Sequence, residues 1–502
     1  MTEHRGSKPR VVIIGSGFGG LCLAIRLKMA GVASFTILEK ADRVGGTWRD
    51  NVYPGAACDC PSFAYSFSFE PSTDWSRKWA PQPEILRYIE RCADKYGLLP
   101  HCRFGVEVLS ARFDEEARVW RIRTRAGEEI EADILVSAVG QLNRPHVPTI
   151  RGLPEFEGPA FHSASWAPGF EPDGKTVAVI GSAATAVQLV PALASGVKEL
   201  HVFQRSPNWI VPKKDVVYSR RFRNFCRRFP LFALLYRWWL WLAYEAQFLV
   251  IRESGIATRR AMQIATAHLD DQVPDPALRR TLTPHFPIGA KRILISDDYY
   301  PALQRENVRL VTESIDRITR EGVVTTGGRT CPVDAILFAT GFETTSFLAP
   351  MDITGVGKRS LDEAWAAGAE AHLGISVSGF PNFFIMYGPN TNLGHNSIVF
   401  MLECQARYIV ECLRQMVRRG LGTIDLRPEV QASYNERIRA ELDRTVWARV
   451  ERSWYKNGSG RIVNNWPGST VEYWWRTRRV DLTQYLTVPL PVASAPRAEV
   501  HA

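Results

Sequence analysis

Val11-Val12-Ile13-Ile14-Gly15-Ser16-Gly17-Phe18-Gly19-Gly20 is the stretch on which the fold turns. Four consecutive β-branched residues read as a strand covered on both faces, the pattern of a parallel sheet. The glycines that follow permit a tight turn and let backbone N–H groups approach a pyrophosphate. A helical pattern from Leu21 to Met29 then places a positive helix end at the same point. Phe35-Thr36-Ile37-Leu38 reads as a second strand, closed by Glu39, 24 residues after Gly15. A carboxylate at that distance can accept hydrogen bonds from ribose hydroxyls. A glycine loop alone is a weak signal, but strand, loop, helix, strand and acid in this order form a dinucleotide-binding fingerprint.

The pattern recurs further along. Thr176-Val177-Ala178-Val179-Ile180 leads into Gly181-Ser182-Ala183-Ala184-Thr185-Ala186, a helix through Leu193, and the strand Leu200-His201-Val202-Phe203. The residue 24 positions after Gly181 is Arg205. An arginine suits a 2′-phosphate, which a carboxylate would repel; a solvated arginine is the plain alternative. Each half also ends alike, in Asp133-Ile-Leu-Val-Ser-Ala-Val-Gly140 and Asp334-Ala-Ile-Leu-Phe-Ala-Thr-Gly341. Two dinucleotide units follow, the first for FAD and the second for NADPH. Ala183 departs from the pattern, since it stands where the middle glycine normally lets the pyrophosphate touch the backbone. A methyl group there is expected to cost roughly 1–3 kcal/mol by overpacking, and to weaken or shift NADPH.

At 502 residues the chain is too long for one core, so several domains are expected. Nine cysteines without a C-x-x-C pair suggest reduced thiols and a cytoplasmic setting, and Cys58-Asp59-Cys60 is too tight for a zinc site, so no metal is expected. Met1–Arg10 has no apolar core of the kind a secretory signal needs. The formal charge of +10 is spread along the chain with no nucleic-acid module, which points to anionic cofactors or a membrane surface and away from nucleic acid. The sequence carries no signal of oligomeric state, for a monomer or for an oligomer.

The residues after Glu39 are more specific. Gly45-Gly46-Thr47-Trp48, Tyr53-Pro54-Gly55 and Asp59 fit G-G-x-W-x4-(F/Y)-P-G-x3-D, and Phe156, Gly158, His162 and Trp166 fit F-x-G-x3-H-x3-W. Together these resemble the fingerprints of the type I Baeyer–Villiger monooxygenases, relatives of the flavin-containing and N-hydroxylating monooxygenases. The resemblance runs from about Val11 to Trp475 and includes Gln204–Trp209, Gly289-Ala290-Lys291-Arg292, Ser296–Tyr300, Ala339-Thr340-Gly341-Phe342, Ser453-Trp454-Tyr455, Asn465–Gly468 and Tyr473–Trp475. Ala167 departs from it in a minor way.

The resemblance implies an α/β fold of two Rossmann-like doubly wound domains with a helical insertion at about 213–290. The FAD unit would span 1–150 and 334–486, and the NADP unit 151–333. It implies that FAD rests against Gly15, Gly17, Phe18, Gly20, Glu39, Gly46, Thr47, Trp48, Asp59, Tyr65, Thr340, Gly341 and Phe342. NADPH would rest against Gly181, Ser182, Ala183, Thr185, Ala186, Arg205 and Lys291. Arg292 would be the active-site cation and Asp59 its carboxylate partner, stabilising a C4a-peroxyflavin anion formed with O2 and the adduct it makes with a hydrophobic ketone, on the way to an ester or lactone. Gly158, His162 and Trp166 would belong to an interdomain linker that affects coenzyme handling; a satisfied structural histidine and core tryptophans, Trp48 included, are the alternatives. Rival activities are oxygenation of nitrogen or sulfur, and a flavoprotein with impaired NADPH use through Ala183.

Arg220, Arg221, Arg223, Arg227 and Arg228 form a basic run, followed by the apolar stretch Leu231–Tyr244. Arg237 and Glu245 interrupt a would-be membrane span. Two readings stand for 220–250: a helical hairpin over the substrate entrance, or an interfacial helix in peripheral contact with anionic lipid. The tail 487–502, rich in Pro, Ala and Val, is expected to be disordered.

Overall fold

Two all-parallel five-stranded sheets organise the chain, and each is built around one of the glycine loops. The structure is a computed structural model that describes residues 9–253 and 255–490. In the first sheet the order is Phe383–Ile385, Ile134–Ser137, Val11–Ile14, Phe35–Leu38 and Cys102–Arg103. In the second it is Val308–Val311, Glu199–Phe203, Thr176–Ile180, Ala335–Phe338 and Ala160–His162. The strand entering each glycine loop is central and buried, as its unbroken apolar sequence requires.

The internal repeat is therefore structural. The closing strand of each half lies beside its own loop strand, with Ile14 opposite Ser137 and Ile180 opposite Phe338. Each half also inserts a three-stranded antiparallel meander ahead of that closing strand: Val108–Asp114, Val119–Thr124 and Glu129–Ala132 in the first, Ile315–Thr319, Gly322–Thr325 and Thr330–Pro332 in the second. One edge strand of each sheet is supplied from outside these repeats. Ala160–His162 joins the second sheet as the chain enters it, and Phe383–Ile385 completes the first after the chain returns.

Two sequence expectations need correction. The sequence puts the return to the first unit at Asp334, but Ala335–Phe338 belongs to the second sheet, between Thr176–Ile180 and Ala160–His162. The chain crosses back only after Gly341, because this strand is the counterpart of Ile134–Ser137 and needs the same neighbour. The composition predicts loss of order from Thr487, yet Tyr485–Pro489 pairs antiparallel with Leu421–Leu426. Tyr485 is buried and anchors the strand, and Pro489 falls at its end, where a missing N–H is tolerated. The rest of the tail, 491–502, lies outside the described residues.

Helix Phe18–Met29 is buried along most of its length, between the first sheet and the long helix Ile398–Arg419. Between the strands Glu199–Phe203 and Val308–Val311 the chain forms the helices Arg220–Arg228, Pro230–Glu245, Phe248–Ile251, Gly255–Gln272 and Pro276–Leu282. Among the described residues no helix is long and apolar enough to cross a membrane.

Candidate active site

Both glycine loops open at the C-terminal ends of their central strands, where parallel α/β sheets place ligands. They line one continuous cleft of about 1140 Å³. The first glycine of each loop is obligatory. Gly15 and Gly181 have φ of +102° and +125°, and a Cβ on either would lie 2.7 Å from the Ala138 carbonyl or 2.3 Å from that of Ala339. Each donates its N–H to the end of the next strand, Gly15 to Leu38 and Gly181 to Phe203. The helices that follow start at Gly17 and Ala183 with no side-chain cap, which leaves their first N–H groups for an anion.

Glu39 sits buried at the end of its strand. Its Oε2 accepts from the Ser16 N–H (2.9 Å) and hydroxyl (2.7 Å), and its Oε1 accepts from the Ala41 N–H (3.0 Å) and pairs with Arg49 (3.2 Å). Burial alone would raise its pKa, but these donors hold it below the usual carboxylate range, so it stays an acceptor. Trp48 and Tyr65 also line the cleft, the indole donating to the Tyr65 hydroxyl (3.1 Å).

In the second loop Ala183 is extended, with φ −91°, as is Gly17 at −79°. Alanine therefore brings no backbone strain there, and only its methyl group bears on a ligand. Ser182 ties the loop down, its hydroxyl donating to the Ser206 carbonyl (2.9 Å). Arg205 and Lys291 both line the cleft, and among the described residues neither forms an ion pair. Burial, then the neighbouring Arg205 charge, lowers the Lys291 pKa. Two adjacent cations without a carboxylate are poised for an anionic ligand.

Arg292 and Asp59, 233 residues apart in sequence, meet in the cleft with Arg292 Nε donating to Asp59 Oδ2 at 2.7 Å. Asp59 pushes the guanidinium pKa up. Burial by itself would raise Asp59, but the Arg292 charge and hydrogen bond keep it below its ordinary value. Both groups are ionised across the working range of pH.

Thr340, Gly341 and Phe342 line the cleft beside the second loop, directly after the strand Ala335–Phe338. Gly20 and Ala186 do not reach it; they are buried behind their loops. The linker residues stand apart too. Gly158 lies against the Asp334 carbonyl, and Trp166 sits in an edge-to-face cluster with Phe161 and Phe170. His162 is buried, packs edge-on against Phe342, and accepts the Ala164 N–H on Nδ1 (3.1 Å); burial pushes its pKa down.

Residues 12–224 match the family model described as pyridine nucleotide-disulphide oxidoreductase. A Baeyer–Villiger monooxygenase of Streptomyces coelicolor is 42% identical over 99% of this chain and 97% of its own length. The chain belongs to the Baeyer–Villiger monooxygenases. The structure of an oxidised steroid monooxygenase bound to NADP matches with a TM-score of 0.86 at 31% identity, covering 96% of this chain and all of the other. That of OTEMO in complex with FAD and NADP matches with a TM-score of 0.87 at 28% identity and the same coverage.

Sequence reading missed several residues of this Baeyer–Villiger monooxygenase site. Arg49 fixes Glu39, and its only signal was its place two residues after Thr47. Gln188 joins the two units, since Tyr53 donates its hydroxyl to Oε1 (2.9 Å) and Nε2 donates to the Ala57 carbonyl (3.0 Å). This explains Gly55, whose φ is +84° and whose Cβ would sit 2.5 Å from the Gln188 carbonyl. Tyr387 donates to Asn392 (2.7 Å) beside Arg292, from a Tyr-Gly-Pro-Asn turn after the buried strand Phe383–Ile385. The turn was visible in sequence, but its position was not.

Proposed function

We infer that this chain uses NADPH and O2, with FAD, to insert an oxygen atom beside a ketone carbonyl and release an ester or lactone. The observation that carries the reading is the Arg292–Asp59 pair in a cleft shared by both dinucleotide loops. The residues fit the cofactors. The uncapped helix end after Gly17 and the ionised Glu39 suit the pyrophosphate and ribose of FAD. The unpaired Arg205 and Lys291, beside Gly181, Ser182 and Thr185, suit a 2′-phosphorylated coenzyme. Bound FAD, once reduced by NADPH, supplies the electrons and the activation of O2.

The chain's own residues do the rest. Arg292 cannot lose its proton, so it holds a fixed positive charge at the cleft wall and stabilises negative charge developing on oxygen. Asp59 occupies the Nε–H, which fixes the plane of the guanidinium and leaves its two terminal NH2 groups for that oxygen. Trp48, Tyr65 and Phe18 form an aromatic wall that excludes water. His162 serves as an anchor of the linker beside Phe342, with no part in bond-making.

The test is anaerobic reduction by NADPH, followed by oxygen with a panel of cyclic and aryl ketones and a thioether. Ester or lactone, with flavin bleaching and reoxidation, is expected. Rapid peroxide release with no ester from any ketone would overturn the reading, and sulfoxide as the sole product would assign the chain to sulfur oxygenation.

A further inference from the structure

The helix Pro230–Glu245 buries Ala233 and Leu240 on its inner side and carries a second apolar face on its outer side. Leu231, Leu234, Leu235, Trp238, Trp239 and Leu242 recur at helical spacing on one face, and all are exposed, Trp239 and Leu242 by more than 60%. The two charges that interrupt this apolar run turn inward. Arg237 donates to the Phe63 carbonyl (2.6 Å) and the Ser66 hydroxyl (2.9 Å). Glu245 accepts from the Thr470 N–H and hydroxyl (both 2.7 Å) and from Asn396 (2.8 Å). The outer face is thus left without a charge from Leu231 to Leu242, a large exposed apolar surface of the kind that marks an interaction site.

A basic rim adjoins it. On helix Arg220–Arg228, Arg221, Phe225 and Arg228 share one stripe, and Phe225 packs against Phe229 (4.8 Å) and Phe232 (5.0 Å), which carry the apolar surface on to the next helix. Arg227 pairs with Asp74. Arg220, Arg221 and Arg228 are exposed and have no ion pair among the described residues. Exposed leucines and tryptophans beside unpaired arginines match the acyl boundary and the phosphates of an anionic bilayer.

We propose that this face, residues 220–242, is a docking surface on which the protein rests peripherally on an anionic lipid bilayer. It does not span the bilayer. The inner side of the same helix reaches the site, because Asn396, which lines the cleft, donates to the Trp241 carbonyl (3.2 Å). Docking therefore brings the cleft close to the lipid, a short path for the apolar ketone of the function proposed above; that path alone rests on the function, the docking does not.

The experiment is flotation of the FAD-loaded protein with phosphatidylcholine vesicles, with and without phosphatidylglycerol, at low and high salt. Binding only to the anionic vesicles, weakened by salt, is expected. The W239E/L242E variant should lose it while keeping its flavin spectrum and NADPH oxidation. R221Q/R228Q should bind roughly 25-fold more weakly, from about fivefold per arginine at an anionic surface. Absence of flotation on the anionic vesicles would overturn the proposal, as would unchanged flotation of W239E/L242E. So would a dimer that W239E/L242E converts to monomer without any vesicle binding, which would assign the face to a second copy. Flotation needs no turnover, so a failed ketone assay leaves its outcome readable.

Discussion

Replacing Arg292 by lysine separates charge from geometry. The guanidinium spends its Nε–H on Asp59 at 2.7 Å and keeps two NH2 groups, with no protein partner among the described residues, at the cleft. Lysine keeps the charge on a single nitrogen. If that nitrogen stays with Asp59 it no longer meets the reacting oxygen, and if it leaves, Asp59 remains an uncompensated acceptor in the site. Loss of one preorganised donor of this kind costs about 2.7–4 kcal/mol, so ester formation should fall by about 10²- to 10³-fold. Folding should change little, because Asp59 retains a cation within reach. The assay is stopped-flow reduction by NADPH followed by product analysis under oxygen. Flavin reduction should persist, ester per NADPH should fall, and hydrogen peroxide should rise in its place. R292K turning over ketone close to the wild-type rate would refute the argument that the planar fork, beyond its charge, is what the site uses.

Arg205→Ala should weaken NADPH relative to NADH by about 10- to 100-fold, the worth of a charged hydrogen bond of about 1.5–3 kcal/mol, read from KM for the two coenzymes. Ala183→Gly should tighten NADPH by about fivefold, near the lower end of the methyl penalty because the alanine backbone is unstrained; an unchanged Kd would remove the methyl group from the account. Glu245→Gln should destabilise the fold in a pH-dependent way. Burial would raise the Glu245 pKa, but His395, Thr470 and Asn396 lower it from 4.5 to about 2. That difference is worth at most about 3 kcal/mol. Because the folded pKa is depressed, this stability is fully present above about pH 5 and is lost as pH falls towards 2. Urea melts of E245Q and wild type should therefore differ most at neutral pH and converge in acid.

What the sequence determined by itself was local. A run of β-branched residues specifies a buried strand, glycine specifies the turn after it, and the acid or arginine 24 residues on falls just past the end of the next strand, since each depends on backbone geometry within one βαβ unit. The two loops, Glu39, Arg205 and the matching closing strands were legible for that reason. Arg292 and Asp59 could be paired only through resemblance, because 233 residues separate them and no periodicity links a loop in one unit to a loop in the other. Only the tertiary structure decided which sheet takes Ala335–Phe338, that Thr487–Pro489 finds a partner in Leu421–Leu426, and that Gln188 latches the two units. It also decided the sense of helix Pro230–Glu245. A helical stripe of leucine and tryptophan announces an apolar face but not what lies against it; that depends on Arg237 and Glu245 finding buried partners, and their pull turns the stripe to the outside.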